Sequence, residues 1–300
     1  MDRLDAMAVF LAAVETGSLS AAGRKLDMPL ATVSRKLADL ETHLRARLLN
    51  RSTRKLTLTD AGRDYVASCK RILEDVSEAE RTASGEFSEP RGDLVIAAPI
   101  VFGRLHVLPV ITEVLTVYPY VHVRLVLGDR VVNLMEDHVD LAVRIGELPD
   151  SRMTATRVGA VRRVVCGSPA YFAQHGTPTM PGDLRAHTCI SFDALSSAHL
   201  WRFARDGAET TVPVHSRLVV NTAEAAIDAA ITGVGITRVI SYQVADALDA
   251  GSLQLALRDY ETAPAPVSLL FDGQRRLPLK LRAFLDFAAP RLRERLQAAT

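Results

Sequence analysis

Cysteine is scarce in this chain of 300 residues. Cys69, Cys166 and Cys189 are odd in number and far apart, which excludes a disulfide framework and a cysteine-based metal site. The eight histidines are also dispersed, with no pair at metal-ligand spacing. Long hydrophobic runs are missing, since no stretch approaches the ~20 apolar residues of a membrane span. The apolar stretch Ala6 to Val14 follows Asp2 and Asp5 and ends at Glu15, which argues against a signal peptide. Leu4, Met7, Leu11 and Val14 recur instead at helical spacing, as the core face of a first helix. Gly233-Val234-Gly235 is half a dinucleotide fingerprint, but it leaves a helix and enters a strand, the reverse of the required context. Gly167-Ser168-Pro169 lacks the second glycine of a nucleophile elbow, and His138 with Asp140 reads as surface structure rather than an acid-base pair. No enzyme, no cofactor and no metal is expected, and a reducing cytoplasm is the expected location.

Net charge is also small, at +1, but that average hides an asymmetry. Between Arg24 and Lys55 nine basic residues face three acids, Asp27, Asp39 and Glu41. A local basic patch on a near-neutral chain suits a nucleic-acid-binding module joined to another domain, and the length suits about two domains. The first segment reads helix, helix, turn, helix, hairpin. Gly17-Ser18 breaks the first helix, and Ser20 is positioned to cap the second. Asp27-Met28-Pro29 stops the second helix and opens a third from about Leu30 to Leu44. Val33, Leu37, Leu40 and Leu44 form one stripe on it. At ~100° per residue Arg35 lies opposite, Ala31 and Asp39 lie near it, and Thr32 and Ser34 flank the stripe.

Arg51 to Leu58 suits a two-stranded wing. Thr59-Asp60 caps a long helix, Asp60 to about Ser84, whose Tyr65, Cys69, Ile72, Val76, Ala79 and Ala83 form a heptad seam; self-association is the expected use. Glu86 to Gly92 is a linker. Beyond it, strands are expected at Leu94–Ala98, His122–Leu127, Leu141–Arg144, Val161–Cys166, Leu218–Val220, Gly235–Thr237 and Val267–Phe271. Helices are expected at Leu105–Val117, Val131–His138, Pro169–Gln174, Ala223–Thr232 and Lys280–Leu296. That alternation implies parallel α/β layers.

Helix-turn-helix recognition presents the N-terminal half of one helix to base edges. Arg35 is the strongest base reader, since arginine can bond guanine with two donors. Thr32 and Ser34 suit bases or phosphate, Ser20 and its neighbour Ala21 suit phosphate at a helix start, and Arg51, Ser52, Arg54 and Lys55 place a wing on the backbone or minor groove. Pro29, Leu30 and Lys36 complete the expected DNA surface. The competing reading is a small-molecule-binding or enzymatic α/β protein whose N-terminal region only mediates assembly.

Several motifs in order sharpen this. Ala21-Ala22-Gly23-Arg24-Lys25-Leu26, Ala31-Thr32-Val33-Ser34-Arg35-Lys36-Leu37, Leu40-Glu41, Leu48-Leu49-Asn50-Arg51 and Leu58-Thr59-Asp60-Ala61-Gly62 resemble the LysR-type transcriptional regulators. Asp140-Leu141-Ala142-Val143-Arg144-Ile145-Gly146 and Cys166-Gly167-Ser168-Pro169-Ala170-Tyr171 extend the resemblance along the chain. It implies a multidomain fold: an all-α winged helix-turn-helix (residues 1–59), a linker and dimerisation helix (60–90), and a two-lobed α/β effector-binding domain like periplasmic solute-binding proteins (91–300). Lobe I would hold 91–161 and 267–300, lobe II 162–266, with hinge crossings near Gly159–Arg162 and Pro264–Val267. By the same resemblance a small organic or aromatic acid acts as co-inducer between the lobes. Its expected contacts are Pro99, Ile100, Val101, Phe102 and Gly103 at a helix start, whose free amides could hold a carboxylate, then Arg144, Gly146, Phe192, Asp193, Asn221 and Thr222. The implied partners are double-stranded promoter DNA, read as an interrupted palindrome, and a second copy of the chain, with a tetramer expected; RNA polymerase is a candidate partner and a membrane is not. Three positions depart from the family pattern. Pro29-Leu30 stands where many members place serine or glutamine, Gly23 where alanine is common, and His138 where glycine is common.

Overall fold

The structure is a computed structural model. It describes residues 2–51, 56–83, 89–148, 153–192, 199–273 and 277–298. The chain divides into two compact units, Met1–Glu89 and Pro90–Thr300.

The first unit runs α1 (Arg3–Thr16), α2 (Leu19–Lys25), α3 (Leu30–Leu44), β1 (Leu49–Arg51), β2 (Leu56–Leu58) and α4 (Asp60–Ala83). The third helix has the bounds its sequence pattern gives, and Val33, Leu37 and Leu40 are fully buried. The inward face of α1 differs from expectation. Ala6, Val9, Phe10 and Ala13 are buried, while Leu4 is exposed and Met7, Leu11 and Val14 pack at the margin. The small Ala6, Ala12 and Ala13 on either side of Val9 and Phe10 let α2, α3 and α4 approach α1 on that side, so size rather than hydrophobicity alone selected the face. The α2 cap also lies two residues earlier than expected. Ser18, not Ser20, is extended and accepts the Ala21 amide, which leaves Ser20 inside the helix and exposed.

Two motif residues join the wing to the helices. Glu41 Oε1 accepts the amides of Leu48 and Leu49 at 2.8 and 3.1 Å. Thr59 Oγ1 donates to the Arg47 carbonyl at 2.6 Å and accepts the Gly62 amide at 3.0 Å. A Cβ at Gly62 would lie 2.1 Å from the Leu48 carbonyl oxygen, so α4 can meet the wing this closely only with glycine there.

Gly23 is explained in the same way. Met28 N donates to Gly23 O at 2.8 Å, and a Cβ at Gly23 would stand 2.7 Å from Met28 O. The turn between α2 and α3 is folded onto the glycine. Gly23→Ala, though it supplies the family's common residue and a better helix former, is expected to destabilise this unit by about 1–3 kcal/mol through overpacking. Thermal unfolding checks this; an unchanged or higher Tm would show that the turn yields freely.

The second unit holds β3 (Gly92–Ala98), α5 (Ile100–Phe102), α6 (Leu108–Val117), β4 (Val121–Leu127), β5 (Leu141–Ile145), β6 (Thr154–Val161), β7 (Arg163–Gly167), α7 (Pro169–His175), β8 (Cys189–Phe192), β9 (Leu200–Arg205), β10 (Ala208–Pro213), β11 (Ser216–Val220), α8 (Ala223–Ile231), β12 (Ile236–Ile240), α9 (Ala245–Asp249), β13 (Gln254–Ala256), β14 (Ala265–Phe271) and α10 (Leu279–Ala298). One five-stranded sheet has the order β4-β3-β5-β14-β6, the other β11-β8-β12-β7-β13, and β9 and β10 form a separate hairpin. The chain leaves the first sheet at Arg162 and returns into β14. That return makes β14 antiparallel to β5 and β6, and β12 and β13 run antiparallel to β7. The layers are therefore mixed, not all parallel.

Two further expectations change. Residues 131–138 form turns rather than a helix. Asn133 O accepts the Asp137 amide, Asp137 Oδ2 accepts the Asn133 amide, and Val139 N closes onto Leu134 O. His138, where the family favours glycine, has φ 52, the left-handed region glycine enters without cost. The helix expected from Leu105 begins at Ile100 and runs to Val117 through a π turn, Gly103–Val107. Its length and mean hydropathy of 1.6 match a membrane span by composition, but Val101, Phe102, Val107, Val110, Ile111 and Val114 belong to the first sheet's core.

Candidate DNA-reading surface and effector cleft

On α3, burial of Val33, Leu37 and Leu40 fixes the opposite face outward. Arg35, Ala31 and Asp39 are exposed, and Thr32 and Ser34 are half-buried beside them. Pro29 occupies the N-cap position with ψ 140, and Leu30 opens the helix 49% exposed. Ser20 is exposed on α2 and Ala21 is half-buried. The basic residue that follows Arg35 is committed elsewhere, because the Lys36 ammonium pairs with the Asp5 carboxylate on α1. Arg51 ends β1, and Ser52, Arg54 and Lys55 lie outside the described residues. The surface thus joins an exposed arginine, small hydroxyls and a helix start on one side of a three-helix core, the geometry that enters a major groove.

The seam on α4 divides. Cys69 is fully buried and Tyr65 packs at a tilt against Phe10, with ring centroids 5.8 Å apart, so both belong to their own domain. Ile72, Ala79 and Ala83 are exposed and Val76 is half-buried. Burial raises the Cys69 thiol to about 11 and those of Cys166 and Cys189 to about 12, so all three behave as inert core residues.

In the second unit a cavity of about 680 Å³ opens between the two sheets, within the usual range for small-ligand sites. Of the residues expected at the effector, Pro99, Arg144, Gly146 and Phe192 line it. Val101, Phe102 and Gly103 are buried in the first sheet's core. Ile100 is half-buried, and its amide is already taken, donating to Asp129 Oδ1 at 3.1 Å. Asn221 is exposed, and Thr222 accepts the Ala225 amide as the α8 cap. Neither lines the cavity. Asp193 lies outside the described residues.

The cavity also gathers residues the sequence reading did not select: Asp129, Arg163, Arg238 and Tyr242. Burial, first, and then Glu224 raise the Asp129 carboxyl, and its Oδ2 is buried without a hydrogen-bond partner. Burial and the nearby Asp129 charge hold the Tyr242 hydroxyl well above its usual range; it too is unpartnered. Although it follows β12, Tyr242 packs into the first sheet's core, edge-on to Phe102 at 5.7 Å and to His106 at 5.2 Å. Burial lowers His106 to about 4, so it stays neutral there. Arginine in a mainly apolar strand, opening Arg163-Val164-Val165-Cys166 and central in Ile236-Thr237-Arg238-Val239-Ile240, was the signal that could have found the second-sheet half of the cleft.

Residues 4–63 match the family model described as bacterial regulatory helix-turn-helix protein, lysR family, and residues 87–293 match the LysR substrate binding domain. The chain belongs to the LysR family. This regulator is 32% identical over 286 residues to the HTH-type transcriptional activator AaeR of Escherichia coli (strain K12), covering 95% of this chain and 93% of that protein. It is 34% identical over 288 residues to an HTH-type transcriptional regulator of Xanthomonas campestris pv. campestris (strain 8004), covering 95% and 84%. Among solved structures, CrgA, a LysR-type regulator from Neisseria meningitidis, superposes with a TM-score of 0.61 at 30% identity, covering 96% of this chain and 98% of that one. The full-length Vibrio cholerae virulence activator AphB does so with a TM-score of 0.60 at 28% identity, covering 95% and 98%. The protein is a transcription regulator with a helix-turn-helix DNA-binding domain and a small-molecule-binding regulatory domain, not an enzyme.

Proposed function

We propose that this regulator acts in the cytoplasm as a homo-oligomer on an interrupted palindromic promoter site, and that a small organic acid in the cleft between the two sheets of its second unit sets its activity. The observation that carries the DNA reading is the exposed face of α3, where Arg35 stands opposite the buried Val33, Leu37 and Leu40. Arg35 reads base edges, Thr32 and Ser34 assist it, the α2 start approaches a phosphate, and Arg51 brings the wing to the backbone. Pro29 and Leu30 add shape and apolar contact. The exposed part of the α4 seam pairs with that of a second copy, so two recognition helices meet two half-sites. Effector acts by binding one oligomer geometry better than another, and RNA polymerase contact follows from promoter position.

A gel shift on the promoter beside the protein's own gene tests this. Specific retardation is expected, with log affinity falling linearly against log salt, by roughly 10³–10⁵ between 50 and 200 mM if six to ten phosphates are neutralised. Equal affinity for promoter and random DNA would sink the specific-regulator reading.

A further inference from the structure

The effector's acidic group needs a seat, and the helix start after β3 does not provide one. The Ile100 amide is donated to Asp129, so an incoming carboxylate would meet a carboxyl group rather than a free donor. A like charge at that spot is disfavoured.

The opposite wall differs. In the antiparallel pairing of β12 with β7, Ile240 faces Arg163 and Arg238 faces Val165. Arg163 and Arg238 are therefore diagonal neighbours on one face, with Cα atoms roughly 7–8 Å apart. Both line the cavity. Among the described residues no carboxylate lies within ion-pair distance of either. The Arg238 guanidinium lies over the Phe203 ring, 5.5 Å from its centroid. Burial, then Arg163 and Arg202, lower Arg238 to about 10, and burial lowers Arg163. Two part-buried cations on one sheet face, with no carboxylate of the described residues in ion-pair distance, are costly, and such strain marks a place suited to a ligand of opposite sign. The planar fork of guanidinium suits two-point bonding to a carboxylate.

We propose that Arg163 and Arg238 are the seat of the effector's carboxylate, so that the acid enters with its charged end on the second sheet and its apolar body toward Val132, Leu134 and Met153. This rests on the cleft being the effector site. The occupant is a small carboxylic acid bound as its carboxylate, and its neutral amide is discriminated against.

The test uses the full-length protein, thermal shift and calorimetry at fixed ionic strength, and three probe pairs: benzoate with benzamide, phenylacetate with phenylacetamide, and succinate with succinamide. At least one carboxylate should raise Tm by several degrees and bind at least tenfold tighter than its amide. Arg163→Gln and Arg238→Gln should each weaken that carboxylate at least tenfold, and the double variant should remove the shift. Arg163→Lys and Arg238→Lys should retain part of it, which separates charge from folding. Val132→Trp, which fills the same cavity from the other side, should abolish binding with an unchanged circular dichroism spectrum. No advantage of any acid over its amide overturns the proposal. So does a carboxylate that binds the double glutamine variant within twofold of wild type; if Val132→Trp still abolishes that binding, the cleft survives and only the seat fails. Binding indifferent to all of these variants overturns the cleft reading as well.

Discussion

Arg35→Ala should cost this regulator most of its sequence discrimination while leaving its fold intact. The side chain is exposed on α3, and its removal opens no cavity. A bidentate arginine–guanine contact is worth about 1–3 kcal/mol of discrimination, so affinity for the specific site should fall roughly 5- to 150-fold. Affinity for random DNA should change little, because that term comes mainly from phosphate contacts. Competition gel shifts with specific and random duplexes read both quantities. A specific-to-random ratio unchanged in Arg35→Ala would transfer base reading to another residue. Lys36→Ala is the instructive contrast. Its ammonium holds Asp5 on α1, so its loss should lower thermal stability before it alters specificity.

The double change Ile72→Asp with Val76→Asp should act more strongly still. Ile72 is 37% exposed and Val76 is half-buried, so the helix should persist while its exposed strip becomes acidic. Two modules joined as one gain roughly 10²–10⁴ in avidity over either alone, and loss of pairing should forfeit that factor at a two-half-site promoter. Sedimentation velocity should report monomers, and the gel shift should weaken by two or more orders of magnitude. An unchanged oligomer would assign assembly to another surface. Cys69→Asp, three residues earlier, should behave differently: that side chain is buried in the helix-turn-helix core, and a carboxylate there would unfold the domain.

Much of the first unit was legible because local rules act alone there. A four-three-four apolar spacing with a proline at its start defines α3 from Leu30 to Leu44, and the same stripe tells which side Arg35 faces. The face of α1 was misread because hydrophobicity cannot tell Leu4, which ends exposed, from Ala6 and Ala13, which are small enough to let neighbouring helices close in. In the second unit the strands showed as apolar runs, but their pairing did not. The antiparallel return of β14 depends on a connection more than one hundred residues long, and no local pattern encodes it. The turn at 131–138 resembles a helix in composition, yet Asn133 and Asp137 bond the backbone locally and win over helical spacing. The cleft was half legible. Strand ends in the first sheet pointed to Pro99, Arg144 and Gly146, whereas the diagonal placement of Arg163 and Arg238 exists only once β7 and β12 are paired.

Tyr242 ties together the two sheets of the second unit. Its ring sits among Phe102 and His106 although its chain segment follows the second sheet's β12. Separating the two sheets at this point would carry that ring into water, so its burial opposes opening of the cleft.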